Sequence, residues 1–163
     1  MKLFLDVDGV VSPMPLEDQL LPLEWGTWDV LDVPWRWTHL NLSRSMGTVL
    51  ASLPVDLWWL TTWDDRANEF VSSHFGWANL PIAERKPLVS PWGKYEAILD
   101  SFKAGDYLEP FVWIEDEIVV IEDQIRGTLD VLGMPYLLVS PEPTVGVTRQ
   151  QLQEVRTFVS EIS

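Results

Sequence analysis

The chain has 163 residues, the size of one domain with a real core, and its 47% hydrophobic and 22% charged content is ordinary for a soluble globular protein. It has no Cys, which excludes disulfides, thiolate catalysis and cysteine-based zinc sites, and no apolar stretch approaches the ~20 residues a membrane helix needs. A net charge of −14 disfavours unaided binding to nucleic acid or an anionic membrane, and it repels an anionic substrate unless a divalent cation and a lysine offset it locally.

Residues 2–6 read as a strand, with Leu3, Phe4 and Leu5 apolar. The strand runs into Asp6-Val-Asp8-Gly9, where alternation along an extended chain points Asp6 and Asp8 to one side. Two carboxylates so close repel, and burial worsens it. Such a pair persists when a cation sits between them or when one is kept protonated for chemistry. Gly9 allows a sharp turn and leaves room for a ligand beside the backbone. One Lys followed by two Asp in the first apolar segment is wrong for a secretory signal, so the cytoplasm is the expected compartment.

Residues 10–40 are irregular and hold Pro13, Pro15, Pro22 and Pro34, with a short hairpin predicted between the segments beginning at Trp28 and at Trp35. A helix is predicted over 43–53, with Met46, Val49, Leu50 and Leu53 on one face and Pro54 ending it. Residues 56–61 form an apolar run suited to a parallel strand covered on both faces. A second helix is predicted over 65–75, with Ala67, Phe70, Val71, His74 and Phe75 inward and Gly76 as its stop. A weak short strand follows near 78–83.

A third helix is predicted over 93–104, with Tyr95, Ile98, Leu99 and Phe102 inward and Gly105 as its stop. Then come a strand at 110–114, a weaker helix near 122–132 and a short strand at 135–139. Thr148 to Gln151 reads as a capping box opening a last helix to about 162. Strands separated by helices imply an α/β three-layer sandwich: one central, mainly parallel sheet with helices on both faces. No repeat, low-complexity segment or linker splits residues 1–163, and residues 10–42 separate Gly9 from the next predicted helix, a stretch that the resemblance described below implies is a flap.

Ligands of such sheets sit at the carboxyl ends of the strands. There the chain places, in order, Asp6 and Asp8, then Thr61-Thr62, then Lys94 opening a helix, then Glu115-Asp116. Lys86 competes with Lys94 for the place of the lysine. The ten Trp include Trp25, Trp28, Trp35 and Trp37 in one segment and Trp58, Trp59 and Trp63 in another. Core packing accounts for such clusters; the alternative is an aromatic wall at the site entrance, able to stack on a base or sugar. His39 and His74 are given no metal role.

Asp-x-Asp-Gly after an N-terminal strand resembles the first motif of the haloacid dehalogenase-like (HAD) superfamily. The whole order of carboxylate pair, Thr, Lys and acidic pair resembles that superfamily's phosphotransferases, from residue 2 to about 139. Trp59-Leu-Thr-Thr-Trp63 and Trp113-Ile-Glu-Asp-Glu117 further resemble a small Trp-rich subgroup that includes the HAD domain found beside RNA-repair enzymes.

The resemblance implies a Rossmann-like (HAD-like) sheet and a magnesium-dependent phosphatase acting through an aspartyl phosphate. Asp6 is then the nucleophile and Asp8 the acid/base. Thr61, the main chain of Thr62, Gly9 and Lys94 hold the phosphoryl group. Mg2+ lies among the Asp6 carboxylate, the Asp8 carbonyl and Asp116, with Glu115 acting through water or by orienting Lys94. Glu115 stands where the family more often has Asp, which leaves open whether Glu115 or Asp116 is the direct ligand.

The short flap implies a capless or minimally capped site, open to a large or nucleotide-like phosphorylated substrate, a nucleic-acid end included. No membrane partner is expected. The rival reading is a catalytically degenerate HAD-fold binding module. A dehalogenase has no need of Asp8, and a receiver domain requires an Asp ending the strand near 78–83, where there is none.

Overall fold

The computed structural model describes residues 1–34, 39–87, 91–101 and 109–162. Four parallel strands form the main sheet: β1 (Lys2–Leu5), β4 (Asp56–Trp59), β5 (Phe111–Ile114) and β6 (Tyr136–Val139), in the order β4-β1-β5-β6. A separate antiparallel pair, β2 (Asp29–Leu31) and β3 (Leu40–Leu42), lies between β1 and β4 in sequence. The helices are α1 (Arg44–Ala51), α2 (Ser73–Phe75), α3 (Trp92–Ser101), α4 (Glu122–Leu132) and α5 (Arg149–Ile162).

Each apolar run becomes a strand because both of its faces find cover. Leu3 and Leu5 of β1 and Val112 and Ile114 of β5 pack with Met46 and Leu50 of α1 and with Leu152, Val155 and Val159 of α5. Phe4, Phe111 and Trp113 belong to a second cluster, with Tyr95 and Ile98 of α3 and Ile125 and Leu129 of α4. Alternation along β1 and β5 therefore separates two cores. Every residue of β5 is buried, whereas the edge strand β4 begins with an exposed Asp56. Among the described residues, no helix is long and apolar enough to cross a membrane.

Several expectations need correction. The strand expected near 78–83 shrinks to a single parallel bridge between Trp59 and Ile82. Its cause is Asn68: Leu80 N donates to Asn68 Oδ1 (2.8 Å) and Asn68 Nδ2 donates to Leu80 O (2.9 Å), so a side chain takes the groups a ladder would use. The helix expected over 65–75 is a π-helical stretch, Ala67–Ser72, running into the single turn of α2, with Gly76 at φ 72° as its stop.

The hairpin exists, but its second arm is β3 rather than the segment beginning at Trp35; residues 35–38 lie outside the described ones. Phe102 and Gly105 lie outside them as well. The capping box forms as expected: Thr148 N donates to Gln151 Oε1 (2.9 Å) and Gln151 N to Thr148 Oγ1 (3.2 Å).

The segment after β1 is fastened to the one before α5. Val147 N donates to Val10 O (2.9 Å) and Met14 N to Pro143 O (2.9 Å). Trp25 Nε1 donates to Val147 O (2.9 Å), and the Arg149 guanidinium lies 4.5 Å over the Trp25 ring. Trp25 is thus a buried clamp, and Trp28 donates to Pro22 O (2.9 Å) while packing against the first core. Buried in this way, Trp25 does not form an entrance wall. Trp35 and Trp37 lie outside the described residues.

Candidate active site at the carboxyl end of the sheet

Register alone brings the first two acids together. Leu5 pairs with Ile114, so the next residues, Asp6 and Glu115, leave adjacent parallel strands side by side. Hydrogen bonds continue the ladder past the strand ends, from Asp6 N to Ile114 O (3.2 Å) and from Glu115 N to Val139 O (3.0 Å). By alternation both share the parity of Phe4 and Trp113, whose core also holds α3. A lysine in the first turn of α3 therefore reaches them.

That lysine is Lys94. Its Nζ lies 2.9 Å from Asp6 Oδ2 and 2.5 Å from Glu115 Oε2, and all three side chains are almost wholly buried. Lys86 instead pairs with Asp100, at a half-exposed position. The choice the sequence left open between the two lysines is decided by α3: Lys94 is in its first turn on the buried face. Replacing Lys86 by Ala is expected to cost no more than about 1 kcal/mol, as for other exposed pairs, in a thermal melt.

Asp116 completes the acidic group. One carboxylate oxygen each from Asp6, Glu115 and Asp116 lie within 4.8 Å of one another. Gly9 makes this possible: at φ 68° it takes a conformation that L side chains rarely adopt, and a Cβ there would lie 2.4 Å from Asp116 Oδ2. Thr61, buried, sits beside Asp6 just beyond the end of β4 and accepts from Trp63 N (3.3 Å). Thr62 is exposed.

The Asp8 carboxylate stands apart from this group. The chain leaves the strand after Leu5 and turns, with Val10 N and Ser12 N both donating to Val7 O. Asp8 Oδ2 then accepts from Trp63 Nε1 (2.9 Å). The Asp8 carboxylate is thus held by Trp63 and is not a member of the cluster formed by Asp6, Glu115 and Asp116. Trp63, which the sequence placed in a Trp cluster able to flank the site, is the residue that holds Asp8; the sequence did not show that contact.

The electrostatics follow from burial. Burial pushes the Asp6 carboxyl above its ordinary pKa, and the adjacent Lys94 only partly counters it. Burial and the Asp6 charge raise Glu115 as well, up to about 9, against the pull of Lys94. Asp116 is raised by burial and by Asp6. Burial alone would lower Lys94, but the Asp6 and Glu115 charges outweigh it and hold the ammonium above its usual value. Three carboxyl groups share one ammonium, so they can ionise together only with further positive charge beside them.

This deficit fits a divalent cation. Asp6 Oδ1 is buried and accepts no hydrogen bond of good geometry among the described residues. Glu115 is engaged on both oxygens, by Lys94 and, weakly, by Glu117 N (3.4 Å), which suits it to orient Lys94. Asp6 and Asp116 are the acids placed to hold a hard cation through oxygen. Comparison with protein-family models, with curated proteins and with solved structures finds no match to the chain.

Proposed function

We propose that the chain is a magnesium-dependent phosphatase of the HAD type, a three-layer Rossmann-like sandwich working through an aspartyl phosphate on Asp6. One observation carries the reading: buried Lys94 bridges Asp6 and Glu115 at the ends of adjacent parallel strands, with the Asp116 carboxylate clustered beside them.

Asp6 attacks phosphorus in line, and the leaving oxygen departs with a proton from Asp8. Asp8 then takes a proton from water, which attacks phosphorus and releases inorganic phosphate, restoring Asp6. Trp63 Nε1 holds the Asp8 carboxyl in orientation throughout. Lys94 offsets charge on Asp6 and the phosphoryl oxygens, and Thr61 and the Thr62 N–H bind those oxygens. Mg2+ held by Asp6 and Asp116, with the Asp8 carbonyl, supplies Lewis-acid polarisation of the phosphoryl group when bound. The substrate is a phosphomonoester, large or nucleotide-like, since only a short hairpin follows β1.

The test needs no substrate. Beryllium fluoride with Mg2+ mimics an aspartyl phosphate and is expected to raise the melting temperature of the wild type only when both are present, with no rise in Asp6→Asn. A wild type that folds well but shows no rise would favour a binding module that has lost its chemistry.

A further inference from the structure

Beside the site lies a cavity of about 540 Å³, lined by Asp64, Asp65, Ile82, Glu84, Arg85 and Pro87. Its place in the fold ties it to the phosphoryl site. Asp64 and Asp65 follow Thr61-Thr62 directly, and Ala83 N donates to Trp59 O (2.8 Å), laying residues 82–83 alongside the end of β4. Since β4 neighbours β1, two strand spacings, about 9–10 Å, separate this segment from Asp6.

Arg85 is the unusual member. Its Nε is buried and has no hydrogen-bond partner among the described residues, although Asp64, Asp65 and Glu84 line the same cavity. Those three carboxylates are exposed and keep their water. An unsatisfied buried donor on a guanidinium calls for an acceptor, best a pair of acceptors in one plane. A bare second phosphate would answer Arg85 but would be repelled by the three acids. A group offering acceptors to Arg85 and N–H donors to the acids answers both, and Ile82 and Pro87 add apolar surface for a ring.

Building on the phosphatase reading, we propose that this cavity takes the base of a nucleoside monophosphate whose edge is of the guanine type. Arg85 pairs with the carbonyl and ring-nitrogen acceptors, and the acids receive the ring N–H and exocyclic amine. Adenine, with an amine where guanine has its carbonyl, offers Arg85 one acceptor instead of two.

The test compares GMP, AMP and ribose 5-phosphate, with Mg2+, on wild type, Arg85→Gln and Arg85→Lys. The wild type is expected to favour GMP over both others in kcat/KM by roughly five- to 150-fold, the discrimination of one bidentate pair. The ratio of GMP to ribose 5-phosphate should fall toward one in Arg85→Gln. Arg85→Lys should keep a small part of it, since an ammonium is a point charge without the fork. A ratio decides the matter even if a variant folds less well. Equal use of GMP and ribose 5-phosphate by the wild type, or of GMP and AMP, overturns the assignment.

If the wild type hydrolyses none of them, the beryllium fluoride melt judges the phosphatase reading and melting temperature with the nucleotides decides the cavity. A rise with GMP, absent with ribose 5-phosphate and absent in Arg85→Gln, upholds it; no such rise removes it.

Discussion

Lys94→Met is expected to destabilise the fold by about 3–5 kcal/mol, the cost of breaking a buried ion pair by removing one partner. Met replaces the stem as far as Cε, so packing changes little and the loss is mainly electrostatic. Asp6 and Glu115 are left buried without the cation they share. Urea unfolding measures it, and adding Glu115→Gln to Lys94→Met should recover part of the loss, because a neutral amide needs no cation beside it. A loss below about 1 kcal/mol for Lys94→Met would mean the bridge is not formed.

The same experiment has a pH dependence of fixed sign. Carboxyls raised above their unfolded values hold protons that the unfolded chain releases. Their contribution is greatest below the unfolded carboxylate pKa and is lost as pH rises through the raised values. The Lys94→Met penalty should therefore be smaller near pH 5 than near pH 8.

Gly9→Ala is expected to cost roughly 2–4 kcal/mol, a left-handed backbone penalty plus overpacking. The new methyl would meet Asp116 Oδ2 at 2.4 Å and Pro143 Cβ at 3.0 Å, so Asp116 must give way. The displaced carboxylate should also weaken the Mg2+-dependent rise in melting temperature. Gly133→Ala is the control, since Gly133 has φ 63° with nothing within 4 Å of an added Cβ. It isolates the backbone penalty, and the difference between the two variants is the contact with Asp116 and Pro143. Equal costs would show that the contact relaxes freely.

Much of this site was legible because its pieces end strands or start a helix. Asp6, Thr61, Lys94, Glu115 and Asp116 follow apolar runs or open an amphipathic one, and such junctions are visible in a linear pattern. The four main-sheet strands and helices α1, α3, α4 and α5 were legible for the same reason. What escaped depends on side chains meeting across the fold. Ala67, Phe70, Val71 and His74 fit an α period, but tertiary bonds from Asn68 to Leu80 and Trp59 accompany a wider π turn there. Asp8 and Trp63 meet through a bond between residues 55 apart, which no local spacing announces. Trp25 looked like a candidate entrance residue because its partner, Val147, is 122 positions away.

That last distance has a kinetic consequence. The loop carrying Asp8 and Gly9 is held by Val10, Met14 and Trp25 against residues 143–147, so its ordering waits on the closure of a very long chain segment. Contacts of such separation tend to form late. On a ribosome Asp8 and Gly9 emerge well before residues 143–147, so the backing of this loop arrives only after β6 has been made. A nascent chain therefore carries this loop without the frame that orders it until the last strand of the sheet and the segment after it have been made.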